Sequence, residues 1–267
     1  MRRRRVGPLQ VIVYLLIAFL YLPLAVVVLF AFNGGSNLSW PVQGLSLRWF
    51  RLVFGDPAFS NAFQNSFKAA VIVAVCSAVI ATSAALVFTR RRSRVNGIMQ
   101  ALALLPAMMP PLFIAIALFT TMDELNIQPG LLPIVVGHLV VVIPFVLVVV
   151  TVRLQRFDIE LEQASRDLGA GVTETLRRIT LPIVLPAVIG AALLAFAFSF
   201  DEVLITNFTS GTTTTLPIYI YSKLHRSIDP SINAVATLLM AIPWIALGAA
   251  ALIFSRSGPL RLRGRGE

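Results

Sequence analysis

A chain of 267 residues that is 57% hydrophobic and 13% charged, with a mean hydropathy of +0.85, carries too little polar surface for a soluble domain. Its formal net charge of +10 would suit a nucleic-acid partner, but the basic residues fall between long apolar blocks, a pattern of bilayer-spanning helices. One cysteine, Cys76, excludes an internal disulfide framework and a cysteine-based metal cage; its apolar surroundings predict a small buried core residue.

In chain order, six stretches have the length and apolarity of transmembrane helices: 9–32, 67–88, 97–120, 131–152, 183–206 and 234–254. Each holds about 21–24 residues, which at ~1.5 Å per residue crosses a ~30 Å hydrocarbon layer. The first follows Arg2–Arg5 as a signal peptide would. Its apolar run exceeds the about 7–15 residues of a signal core, and no small-x-small site follows, so it reads as a retained helix. Pro106, Pro110 and Pro111 interrupt the third stretch, and Pro144 sits in the fourth. Each proline frees a backbone carbonyl that protein or water must satisfy, so these kinks serve either packing or a path through the membrane. Asp123 and Glu124 close the third stretch as a solvated cap or as an attraction for cations, and His138 reads as a packed polar residue of the fourth.

Orientation follows from the basic residues. With the N-terminus inside, the inner segments hold Arg2–Arg5, then Arg90, Arg91, Arg92 and Arg94, then Arg153, Arg156, Arg166, Arg177 and Arg178, and finally Arg256, Arg261, Arg263 and Arg265. Only Arg48, Arg51, Lys68, Lys223 and Arg226 remain for the outside. The expected architecture is therefore an all-α membrane protein of six spans, 1–267 as a single domain, with both termini cytoplasmic.

The inner loop 153–182 is unusually long for this layout. Asp158 is a plausible helix N-cap, and Glu160 and Glu162 then oppose the helix dipole. Leu161, Ala164 and Leu168 recur as a narrow apolar stripe, Gly169 and Gly171 suit a left-handed helix end, and a second short helix is expected over about 172–180. By itself this is a helical hairpin on the membrane surface.

Its spacing resembles the "EAA" loop of binding-protein-dependent ABC-importer permeases. Gln163-Ala164-Ser165 leads by three residues to Gly169, and nine more reach Ile179, followed by Thr180 and Leu181-Pro182. Gln163 stands where the family has Glu, and Ser165 replaces its second Ala. The resemblance implies a type I ABC-importer permease fold in a bacterial cytoplasmic (inner) membrane. It implies a second permease subunit, two ATPase subunits and an external or periplasmic binding protein, with ATP and Mg on the ATPase partners and no cofactor on this chain. The segment Gln163, Ala164, Ser165, Asp167, Leu168, Gly169, Ile179, Leu181 and Pro182 would dock the ATPase, with either Gln163 or Glu162 making the main contact. The chain has no GxxxxGK[ST] phosphate loop of its own.

Residues 199–240 resemble the spermidine/putrescine-importer permeases in particular. The acidic pair Asp201-Glu202 ends the fifth span; Leu216-Pro217 with Ile220-Tyr221, and Asn233-Ala234 with Ala236-Thr237, follow. The Pro106, Pro110 and Leu112 pattern is similar as well. A carboxylate in a span costs about 2.5–3.5 kcal/mol at the bilayer centre, so this pair should face protein or water. Asp201, Glu202 and Phe200 are the candidate substrate-pathway residues: Asp201 facing a cationic substrate, Glu202 pairing structurally or with the partner permease. In the competing reading both acids stabilise the fold or are solvated at the helix end. The resulting expectation is a non-enzymatic permease subunit for polyamines, or for another small organic solute. A self-sufficient secondary transporter would explain the helices but not the spaced loop. No HExxH, paired-cysteine or Ser/His/Asp pattern supports a metal site or an enzyme.

Overall fold

In lipid the backbone has no partner but itself, so long apolar runs adopt helix. A computed structural model of the protein describes residues 8–36, 40–90, 93–226 and 230–256. Arg2–Arg5, Arg91, Arg92, Arg261, Arg263 and Arg265, used above for orientation, lie outside the described residues. The helices are α1 (Pro8–Ala31), α2 (Arg48–Phe54), α3 (Pro57–Arg90), α4 (Arg94–Met108), α5 (Pro111–Glu124), α6 (Leu131–Gln155), α7 (Glu160–Asp167), α8 (Val172–Thr175), α9 (Leu181–Phe200), α10 (Leu204–Thr209), α11 (Leu216–Arg226) and α12 (Ser231–Arg256). Among the described residues the only β pairing is an isolated bridge between Asn33 and Leu45.

Four helical runs have the length and apolarity to cross a membrane: Leu9–Ala31, Pro57–Arg90, Leu131–Gln155 and Val172–Phe200. A fifth is added if α4 and α5 count as one bent span. That pair corrects the expected third span, because α4 and α5 meet at 101° rather than forming one helix. The cause is local. Met109, ahead of a proline, is extended (φ −86°, ψ 141°), and Pro111 takes a first-turn position of α5, where no N–H is needed. The second span is longer than expected, and the fifth is shifted, its helical run covering Val172–Phe200 instead of 183–206. The sixth expected span lies within α12, of which the stretch Ser231–Ile245 falls short of a full crossing.

The chain divides into two units. One comprises residues up to Ser60 with Tyr219–Ala241. Here the apolar side chains of α1 are exposed, as on a span that faces lipid or a partner. Beyond α1, Trp49 of α2 donates through Nε1 to the Asn33 carbonyl at 2.7 Å. Asp56 caps α3 by accepting from the Ala58 N–H at 2.9 Å, and it also receives the Tyr219 hydroxyl.

The other unit, Asn61–Ile218 and residues from Ile242 onward, contains the loop and the acidic pair. Its centre is α6, which packs on α4, α5, α9 and α10 and buries Ile134, Val142, Leu147, Val150 and Leu154. Gly137 permits the α10 contact, since a Cβ there would stand 2.5 Å from Ile205 Cγ2. On α3 a stripe of small residues, Ala70, Ala74, Ser77, Ala81 and Ala85, is buried at helical spacing. Cys76 lies beside it, half-buried rather than fully buried as expected, because its neighbour Ser77 occupies the inward position.

Candidate functional site

The inner loop is built on a helix of eight residues, α7, too short to hold its place without anchors. Two side-chain anchors and a C-terminal turn hold it. Glu162 Oε1 accepts from Arg90 Nη2 at 2.7 Å and from Thr180 Oγ1 at 2.6 Å, and its side chain is 8% exposed. Ser165 Oγ meets Thr175 Oγ1 at 3.0 Å. Gly169 closes the helix with φ +92°: its N–H bonds the Arg166 carbonyl at 2.8 Å, and the Ala170 N–H reaches back to the Ser165 carbonyl at 3.1 Å. That is the paired Schellman closure, for which glycine is the residue without a Cβ penalty.

Positions 162 and 165 therefore face inward, and the expected apolar stripe faces out: Leu161 and Ala164 are exposed, and Leu168 is 90% exposed. Gln163 and Asp167 are exposed beside it. Several local expectations change. Glu162 does not offer its charge outward as one reading had it; burial forces it onto the cation and hydroxyl within its own chain. Gly171 is not left-handed. Asp158 lies one residue outside the N-cap position, though its Oδ1 still accepts from the Glu160 N–H at 3.0 Å. The second helix over 172–180 is not separate: α8 passes through a π turn, Leu176–Thr180, directly into α9. Ile179 is half-buried in that turn, and Leu181 and Pro182 are exposed at the head of α9.

The acidic pair lies at the other end of α9. Asp201 is exposed. Glu202 bends back over the next turn, its two oxygens taking the N–H groups of Ile205 and Thr206 at 2.9 Å each, which starts α10 and ends the span early. His138, 2% exposed, joins this turn to the end of α9, with Nδ1 2.8 Å from Ser199 Oγ and Nε2 2.9 Å from Thr206 Oγ1 and 3.4 Å from Glu202 Oε2. Thr206 Oγ1 also bonds the Glu202 carbonyl at 3.0 Å, which leaves its oxygen to accept from the ring Nε2–H. His138 is the packed polar residue expected. Phe200 is fully buried and stacks on Phe196, which removes it from any open path in this structure. Asp123 and Glu124 are exposed at the end of α5.

A cavity of about 970 Å³ opens between the end of α3, the start of α4 and the end of α6, with Arg90, Arg94, Gln100, Thr151 and Phe157 on its wall. Arg90 and Thr180 were missed as site residues. Arg90 stood among a run of arginines read only for orientation, and Thr180 filled the unspecified position between Ile179 and Leu181. Nothing in the local pattern marks either one.

Comparison with known proteins places this geometry in context. Over 238 residues, 88% of this chain and 89% of the relative, the sequence is 32% identical to the spermidine/putrescine transport system permease protein PotC of Escherichia coli (strain K12). It is also 32% identical over 266 residues, 96% of this chain and 94% of the relative, to the putrescine transport system permease protein PotI of the same organism. The fold matches a chain of a bacterial ABC transporter involved in import of the acidic polysaccharide alginate, with TM-score 0.71, 14% identity and 94% of each chain covered. It also matches a chain of the MetNI methionine ABC transporter in an inward-facing conformation, with TM-score 0.63, 17% identity, and 76% of this chain and all of that one covered. Residues 77–256, which include the anchored loop and the acidic pair, match the family described as binding-protein-dependent transport system inner membrane component, and the chain belongs to that family.

Proposed function

We propose that the chain is the permease subunit of a polyamine importer, a single domain forming half of a translocation pathway and driven by ATPase subunits that bind ATP and Mg. It has six spans and cytoplasmic termini, with α4 and α5 as one broken span and α12 as the last. A second permease, two ATPase subunits and an external binding protein complete the assembly. The chain binds no cofactor of its own.

The observation that carries this reading is the orientation of α7. A short helix anchored by two inward side chains and a C-terminal turn presents Leu161, Ala164 and Leu168 to its surroundings, with Gln163 and Asp167 alongside. A helix whose apolar side turns away from its own chain has a partner to bury it. Gln163 then makes the main polar contact with the ATPase, since Glu162 is occupied internally. The names of the relatives favour polyamines as cargo. Of the acidic pair, Asp201 alone is exposed and meets a cationic substrate, while Glu202 shapes the helix break.

The test uses the complete complex reconstituted with its binding protein. ATP hydrolysis should rise with spermidine or putrescine and not with neutral or anionic solutes; a response to an anion alone overturns the cargo. Asp201→Asn should lower polyamine uptake about tenfold with assembly intact. Unchanged uptake removes Asp201 from the pathway.

A further inference from the structure

One arginine joins elements that the chain keeps far apart. Arg90 ends the 34-residue helix α3, where a cation also suits the helix dipole. Its guanidinium lies over the Phe157 ring, 5.2 Å from the centroid, and bonds Glu162 of α7, 72 residues later. The same carboxylate oxygen holds Thr180, the last residue of the π turn that becomes α9. A single part-buried ion pair thus ties the end of α3, the loop helix and the head of α9. Arg90 also stands on the wall of two cavities, the one of about 970 Å³ beside α4 and one of about 220 Å³ beneath α7.

A buried ion pair is a weak source of stability, because desolvation offsets much of its attraction, but it fixes geometry well. The π turn beside it is a loosened piece of helix, a feature found often where helices must adjust. Without the pair, α7 would keep Glu162–Thr180, Ser165–Thr175 and its own C-terminal turn, none of which reaches α3. It could then shift without moving α3.

We propose that Arg90 is a positioning residue for energy coupling, whose guanidinium on Glu162 makes the end of α3, the loop helix α7 and the head of α9 move as one body when the loop is displaced. This rests on the reading of α7 as the ATPase-facing helix. The force applied to the outward stripe is passed through Glu162 to α3 and through Thr180 to α9. Loss of the arginine lets the loop follow the ATPase while α3 lags behind it.

The experiment measures radiolabelled spermidine taken up per ATP hydrolysed in the reconstituted complex. Arg90→Gln should lower this ratio about tenfold while the ATPase subunits still co-purify. Arg90→Lys, which keeps the charge, should retain it within about threefold, and Arg90→Gln with Glu162→Gln should be no worse than Arg90→Gln alone. A ratio within twofold of wild type for Arg90→Gln, or losses that multiply in the double variant, overturns the proposal. If Arg90→Gln does not assemble, Glu162→Gln decides: a lowered ratio at unchanged spermidine KM supports coupling, and an unchanged ratio makes the ion pair structural only and overturns it. Wild-type complex that takes up no spermidine with ATP fails the parent reading instead, so the two failures are distinct.

Discussion

Glu162 and Glu202 flank the two ends of α9, a helix of 20 residues or about 30 Å, and they use their charge in different ways. Glu162 places one oxygen on a permanent cation from a distant helix and on a hydroxyl at the head of α9. Glu202 spends both oxygens on N–H groups three and four residues ahead, with His138 as its long-range contact. The first is a tether between elements; the second is a cap that creates one. A tether can be cut with each element left folded, whereas a cut cap leaves donors without acceptors. The difference also assigns work to the neighbours. Asp201 is free to face water or cargo because Glu202 has taken the structural duty at the break.

The strongest way to break this comparison is Glu202→Ala. Two backbone N–H groups lose their acceptors at the start of α10, at about 1–3 kcal/mol for each donor left unsatisfied. Thermal unfolding in detergent should shift down by several degrees, and hydrogen exchange should rise over 201–209. Exchange over 160–180 should stay unchanged. A rise at both ends of α9 would mean that Glu202 is also a tether.

How far the sequence disclosed this division depends on the range of each contact. The spans were legible because apolarity is continuous along the chain and needs no partner to be read. The prolines at 110 and 111 marked a break, but not its 101° angle, since a missing N–H permits a bend without setting its size. In the loop, Gly169 was legible as a left-handed stop because that property is its own. The facing of α7 was not. An apolar stripe normally points into its own chain, and here it points out. The inward position of Glu162 depends on Arg90, and the early end of the fifth span depends on Glu202 turning back to Ile205 and Thr206. Neither contact leaves a mark in local periodicity.

A smaller change sharpens the tether side. Gly169 sits at φ +92° with open space where a Cβ would be, so Gly169→Ala acts through backbone strain rather than a clash. The cost is about 1–2 kcal/mol, expressed as loosening of the last turn of α7. Association with the ATPase subunits should weaken about five- to tenfold in a co-purification titration, while the unfolding temperature changes little. Unchanged association would show that the outward face of α7 does not depend on this turn.

The smallest effect belongs to a third carboxylate, Asp56, which is half-buried and combines a cap and a long-range bond. The Tyr219 hydroxyl bonded to its Oδ2, with the Ala58 N–H on Oδ1, holds its carboxyl below the usual carboxylate value. A depressed folded-state value means that its stabilisation is fully present above the unfolded value of about 3.9 and disappears as pH falls through the folded one. Asn caps a helix about as well as Asp, so Asp56→Asn should change stability by no more than about 0.5 kcal/mol at pH 7. As pH falls through the folded-state value the wild type should converge on the variant, because protonation leaves its carboxyl neutral, as the amide is throughout. Unfolding curves in detergent from pH 3 to 7 test this. A large loss at pH 7 would show that the Tyr219 bond makes Asp56 a tether between elements rather than a cap.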